Sequence, residues 1–261
     1  AAHTYVSQKL VYKEDSIINF RKRMLDEYKS QMSNAMFEAS ISYGDSVGNH
    51  IVKWSKKDSF AYYRGREFFL TRNKPGSWEQ TPPDFMEAIE PNWGKIRPVL
   101  VESVRDFAWE MPEPYSTNKN SRFYQITKDV YDTVNAKNPA NLQTALYWDD
   151  NPNASVHYGH ATINILKVSP AGHWLSMFST VAREKKYSLI ETADGMMRLS
   201  SAIFDAFITC WHVKYQTDYL RPISAIHQLI DSSWVSPIQT PAFPEYPSGH
   251  SVVSSAAATV L

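Results

Sequence analysis

Apolar side chains return every three or four positions along most of this chain. That is the period of an α-helix with one buried stripe, not the alternation of a half-buried strand. Glu14-Asp15-Ser16 opens a long run in which Ile17, Phe20, Met24, Tyr28, Met32 and Met36 recur at helical spacing. The period resumes towards Val47, Ile51 and Trp54, after a break expected at Gly44. Such a Met and aromatic stripe reads as helix packing rather than as a cofactor box. The middle is less regular. Thr81-Pro82-Pro83-Asp84 is a turn that predicts a helix start, and Glu90 to Pro98 and Met111 to Pro114 read as loops. Phe123, Ile126, Val130 and Val134 predict one helix face, and Pro139 opens a further helix ending near Trp148.

Three more helices follow. Ser169-Pro170 supplies an N-cap and a first helical residue, after which Trp174, Phe178 and Val181 form a stripe. A second helix is expected from about Asp194 to Tyr215, with Leu199, Ile203, Phe207 and Trp211 among the apolar residues that nearly encircle it. A helix this apolar belongs inside a bundle. A third opens at Pro222, with Ile223, Ile226, Leu229 and Ile230 packing inward. A Pro-rich connection from Asp231 to Tyr246 then leads to Ser248, where a small, apolar helix begins. The pattern is that of a single all-α domain over residues 1–261: an N-terminal helical region over 1–150, and part of a core bundle over 151–261.

Composition narrows the function classes. With 261 residues, 43% of them hydrophobic, the chain suits an ordinary globular protein. Its 27 basic and 27 acidic residues balance, which argues against a general nucleic-acid or membrane-surface binder. No apolar run approaches the roughly 20 residues that span a bilayer. The single cysteine, Cys210, excludes an internal disulfide and reads as a buried, inert thiol. Gly44, Gly48 and Gly65 lack phosphate-loop spacing. His157 and His160, with Asp149, Asp150 and His173, are metal-ligating by type, but their spacing fits no sharp metal pattern. They are expected on loops, in capping and hydrogen-bonding roles.

The chemistry gathers at helix ends. Lys214 falls at the end of one predicted helix, Arg221 at the entrance of the next, and Ser248, Gly249 and His250 at the start of the last. Arg offers a planar fork of donors and Lys a compact point charge. Free backbone N–H groups and the positive end of a helix dipole favour an anion at Ser248-Gly249. Gly249 leaves room for close approach, and His250 can exchange a proton near neutral pH. Together these residues make a receptor for a tetrahedral or trigonal-bipyramidal oxyanion. The bland alternative is a pair of solvated cations beside a Pro-Ser-Gly turn.

Lys214, six intervening residues, Arg221-Pro222 and a later Pro247-Ser248-Gly249-His250 resemble the vanadium-dependent haloperoxidases and the type 2 phosphatidic acid phosphatases (PAP2) that share their site. The resemblance implies an all-α helical bundle of the vanadium haloperoxidase/PAP2 type, truncated at the C-terminus. It implies that Lys214, Arg221, Ser248 and Gly249 bind the oxygens of vanadate, or of phosphate at the same site, and that His250 is an acid/base. Lys214 also polarises bound peroxide in that reading. Trp211 and Phe243 match positions around the anion pocket, where the alternative is plain core packing. The family's third motif, S-R-x5-H-x3-D, is not in this chain. No residue here is therefore assigned a direct bond to vanadium.

Two chemistries fit such a pocket. One is halide oxidation by hydrogen peroxide at bound vanadate; the other is hydrolysis of phosphate monoesters, as in PAP2-type acid phosphatases. A noncatalytic oxyanion-binding fragment is the third reading. The long segment before Lys214, with Trp211 and Phe243, favours the haloperoxidase branch. Ala256 to Leu261 is helix-forming, apolar and uncapped, which predicts a fragment of a longer product or a missing C-terminal segment, with homodimerisation through an exposed face as the alternative. A chain that does not begin with Met also suits an exported bacterial protein, periplasmic or extracellular.

Overall fold

The computed structural model describes residues 14–66, 74–107, 109–165 and 167–261. Contacts divide the chain into two compact units, Ala1–Tyr62 and Tyr63–Leu261. The subdivision expected near residue 150 falls inside the second unit.

The first unit holds helices α1 (Glu14–Lys29) and α2 (Asn34–Ser55). The sequence places the break in this run at Gly44, but Gly44 lies inside α2. The chain breaks instead at 30–33, where the Ser33 hydroxyl accepts from the Met36 N–H at 3.3 Å. A cap contributes about 1 kcal/mol, comparable to what one glycine costs a helix interior, so the cap sets the boundary. Arg21 joins the two helices by donating to both carboxylate oxygens of Asp45, each at 2.9 Å.

In the second unit, no helix starts at Thr81. Phe85 donates its N–H to the Thr81 carbonyl at 3.0 Å but adopts a left-handed φ of 47°, which stops propagation after one turn. Two short 3-10 turns follow, Trp93–Lys95 and Val104–Asp106. Helix α3 (Arg122–Asn135) buries Phe123, Tyr124 and Thr127, while Val130 is exposed. The buried face is thus rotated from the aliphatic stripe of the sequence. The reason is packing against α7 (Pro222–Leu229): Phe123 meets Leu220 and Ala225, and Tyr131 and Val134 meet Ile223, Ile226 and Trp234.

Helix α4 (Pro139–Tyr147) is capped by Asn138. An antiparallel hairpin then stands where loops are expected: β1 (Ser155–Tyr158) pairs with β2 (Ala161–Asn164), Ser155 opposite Asn164. Gly159 turns the chain at a φ of 59°, and Val156, Tyr158, Thr162 and Ile163 suit a strand. The hairpin is tied down at Ser155, whose N–H donates to Gln239 at 2.7 Å.

Helices α5 (Pro170–Glu184), α6 (Leu189–Thr217) and α8 (Gly249–Val260) pack around Phe178, Ala182, Leu199, Ile203, Val253 and Ala257. Gly195 permits the closest approach, since a Cβ there would lie 2.3 Å from Phe178 Cζ. Helix α6 begins five residues before the expected Asp194. A reciprocal cap between Ser188 and Glu191 starts it, although Leu189 and Ile190 are exposed. Among the described residues no helix is long and apolar enough to cross a membrane.

Candidate functional site

Three helix ends meet at one cavity. Lys214 lies in the last turn of α6, which Asp218 closes with a left-handed φ of 49°. Arg221 is the N-cap residue of α7, and Pro222, which needs no intrahelical donor, opens that helix. Ser248 caps α8, followed by Gly249 and His250 in its first turn. All five residues, with Trp211 and Phe243, line a cavity of about 500 Å³. Every site residue read from the sequence is therefore brought to one place.

The two cations are held by a short Pro-rich strap, residues 241–247. Lys214 is 1% exposed, and its Nζ donates to the carbonyls of Pro244 and Glu245 at 2.8 and 2.9 Å. Among the described residues its third hydrogen has no protein acceptor. Burial, and then the neighbouring Arg221, pull the Lys214 pKa down to about 8. It is still an ammonium at neutral pH. Arg221 is also buried. Its Nε donates to the Phe243 carbonyl at 2.7 Å and its Nη1 to Glu245 Oε2 at 2.5 Å. Its Nη2 is buried with no hydrogen-bond partner. Both cations lie over the Phe243 ring, Nζ of Lys214 at 4.9 Å and Cζ of Arg221 at 4.7 Å from the centroid. Trp211 packs on the same ring at 4.9 Å, its indole N–H donated to the Ile89 carbonyl.

The start of α8 adds donors. The Ser248 oxygen accepts from the Ser251 N–H at 3.2 Å, which leaves its own hydroxyl hydrogen to donate. The N–H groups of Gly249 and His250 have no intrahelical acceptor, as in any first turn. A Cβ at Gly249 would meet the Trp211 ring at an ordinary 3.9 Å. Crowding within this chain does not demand glycine there; what the missing side chain spares is the space over the helix end.

A buried guanidinium nitrogen without a partner is costly, because it has lost water and gained nothing. Lys214, Ser248 and Gly249, with an ammonium hydrogen, a hydroxyl and a first-turn amide to donate, line the same cavity as Arg221. This donor set fits a tetrahedral oxyanion such as vanadate or phosphate.

His250 is half exposed at the cavity, with its Nε2 3.9 Å from Asp150 Oδ2. That exceeds hydrogen-bond range. Asp150 is bonded instead to His173 Nδ1 at 2.9 Å, and His173 stacks on Trp148 at 5.2 Å. The sequence treats Asp149, Asp150 and His173 as structural or peripheral. The structure puts Asp149 and Asp150 on the cavity wall, with Asp150 between the two histidines and Asp149 paired to Lys167. His160 lies at the hairpin turn, and the His157 side chain lies outside the described residues. Among the described residues no group of three His, Cys, Asp or Glu side chains is arranged to hold a metal ion. Cys210 is buried as expected, 1% exposed, and burial pushes its thiol up to about 11. Glu245 is a residue the sequence reading missed. Its only signal is an acidic residue inside a Pro-Ala-Phe-Pro-Glu-Tyr-Pro strap between the two cation motifs and the turn.

Fold and site define an all-α bundle that gathers hydrogen-bond donors and two cations at converging helix ends. A family model for the VCPO second helical-bundle domain matches residues 195–237. The chain superposes on a bacterial vanadium-dependent iodoperoxidase with a TM-score of 0.87 at 36% identity, over 99% of this chain and 61% of that one. The apo-type and holo-type structures of bacterial vanadium-dependent chloroperoxidase share the fold at 16% identity, with TM-scores of 0.68 and 0.60. Each covers 98% of this chain, which spans 64% and 63% of theirs. No curated protein matches the chain. The chain belongs to the vanadium haloperoxidase/PAP2 superfamily.

Proposed function

We propose that this chain forms the vanadate-binding part of a vanadium-dependent haloperoxidase that oxidises halide with hydrogen peroxide. One observation carries the reading: the buried, unpartnered Nη2 of Arg221 beside the buried ammonium of Lys214, in a cavity that also receives the start of α8. The likeness to the iodoperoxidase supports the peroxidase branch over the phosphatase branch.

When bound, vanadate supplies the activation of peroxide and the transfer of oxygen to halide. The protein's own residues do the rest. Arg221 and Lys214 donate to oxyanion oxygens and offset their charge. Ser248 Oγ and the Gly249 N–H fix the orientation of those oxygens. His250, at the open side of the cavity, takes up and returns protons at its ring nitrogen. Trp211 and Phe243 keep water from the cations and so strengthen their field.

Two measurements test the proposal. Vanadate binding, read by calorimetry, is expected to weaken by roughly 2–5 kcal/mol in Arg221→Ala, the range for removing one partner of a desolvated charge pair. The vanadate-loaded full-length protein is expected to oxidise iodide with peroxide. Hydrolysis of a chromogenic phosphate ester without iodide oxidation would move the protein to the phosphatase branch.

A further inference from the structure

The cradle contains an anion of its own. Glu245 lines the cavity, and its Oε2 accepts from Arg221 Nη1 at 2.5 Å. Its carbonyl accepts from Lys214 Nζ at 2.9 Å, and its N–H donates to the Tyr219 carbonyl at 2.9 Å. One residue therefore touches both cations, and its backbone is pinned on each side. The side chain is 34% exposed at the rim. The other acidic groups of the wall have partners outside the cradle cations, Asp149 in an ion pair with Lys167 and Asp150 in a hydrogen bond with His173. Among the described residues, Glu245 is the one carboxylate bonded to a cradle cation.

The charge count has a consequence. Among the bonded groups of this chain's cradle, Lys214 and Arg221 carry two positive charges and Glu245 one negative. We propose that Glu245 is a built-in counter-anion that narrows the cradle's preference for doubly charged tetrahedral oxyanions over singly charged ones of the same size. It fixes the plane of the guanidinium through Nη1, which leaves Nη2 for the ligand. At the same time it repels a second unit of ligand charge. This rests on the oxyanion reading of the site and deepens it.

Perrhenate and tungstate are tetrahedral oxyanions of nearly equal size, singly and doubly charged at pH 7.5. Calorimetric titration of the wild-type chain with each ion gives the reference ratio of their affinities. Glu245→Gln keeps an acceptor for Nη1 and removes the charge. It is expected to shift the preference towards tungstate by roughly tenfold, the Coulomb interaction at an effective dielectric of about 20, reduced for a partly exposed carboxylate. Glu245→Ala loses the acceptor as well, and is expected to show the same shift with weaker binding of both ions. If Glu245→Gln leaves the ratio unchanged, the counter-anion role is overturned while the oxyanion site stands. If wild type binds neither ion, the oxyanion reading falls and this inference with it.

Discussion

Lys214 gives the sharpest quantitative expectation. Its folded pKa of about 8 lies below the usual 10.5, because burial and Arg221 both disfavour the ammonium. An oxyanion that needs that ammonium must lose affinity as pH rises through 8, by tenfold per unit. At pH 9.5 binding should be about thirtyfold weaker than at pH 7. Perrhenate suits the assay because its charge does not change in this range. The stability of the protein without added anion must move the opposite way. Between about pH 8 and 10.5 the unfolded chain holds a proton on this lysine that the folded chain has released. Stability from this group therefore rises with pH across that window, by up to about 3 kcal/mol. Lys214→Met should remove both slopes, leaving weak, pH-independent binding from Arg221 and α8. Thermal melts and calorimetry from pH 7 to 10 read the two effects. Wild-type perrhenate affinity that stays flat to pH 9.5 would refute the reasoning, since the buried ammonium would then not face the anion.

Two packing predictions bear on the same cavity. Gly94→Ala puts a Cβ 2.5 Å from His212 Cα, so the Trp93–Lys95 turn must lift off α6, at about 1–3 kcal/mol, and disturb Trp93 on the cavity wall; a lowered Tm and weakened oxyanion binding check it. Asp205→Ala strands the N–H groups of Val99, Leu100 and Val101, which now donate to its buried carboxylate at 2.7, 2.7 and 3.0 Å; a loss of roughly 2–4 kcal/mol is expected in urea denaturation.

The residues proposed to hold an oxyanion are legible in the sequence because each sits at a helix boundary that has its own local signal. Pro222 marks the start of α7, and Ser248 marks the start of α8. Long amphipathic runs likewise report the bundle. What is not legible depends on contacts between distant segments. Asp205 looks like a polar exception on an apolar helix until the backbone of 99–101 closes on it. Asp150 and His173 stand 23 positions apart, and only the fold stacks His173 on Trp148 and sets Asp150 within 3.9 Å of His250. The hairpin escapes because strands of four residues give too short a pattern to separate from loop. The break at 30–33 rather than Gly44 shows a cap overriding a glycine, an outcome decided by energies of similar size.

The strap at 241–247 explains how two buried cations can be kept close without a full set of acidic partners. Three of its seven residues are proline, at 241, 244 and 247. Proline has no N–H, so such a segment offers acceptors and few donors that would themselves need satisfying. The carbonyls of Phe243, Pro244 and Glu245 accept from Arg221, Lys214 and Lys214 again, and that of Tyr246 accepts from Thr217. Neutral carbonyls hold a cation in place while leaving most of its charge uncancelled, whereas a carboxylate on each would neutralise the site. Only Glu245 supplies a full negative charge, and it does so at one arm of Arg221. The strap thus leaves one hydrogen of Lys214 and the buried Nη2 of Arg221 without a protein acceptor, and keeps a net positive charge to attract a guest. Replacing the backbone acceptors by acidic side chains would preserve the geometry of the cations and abolish that attraction.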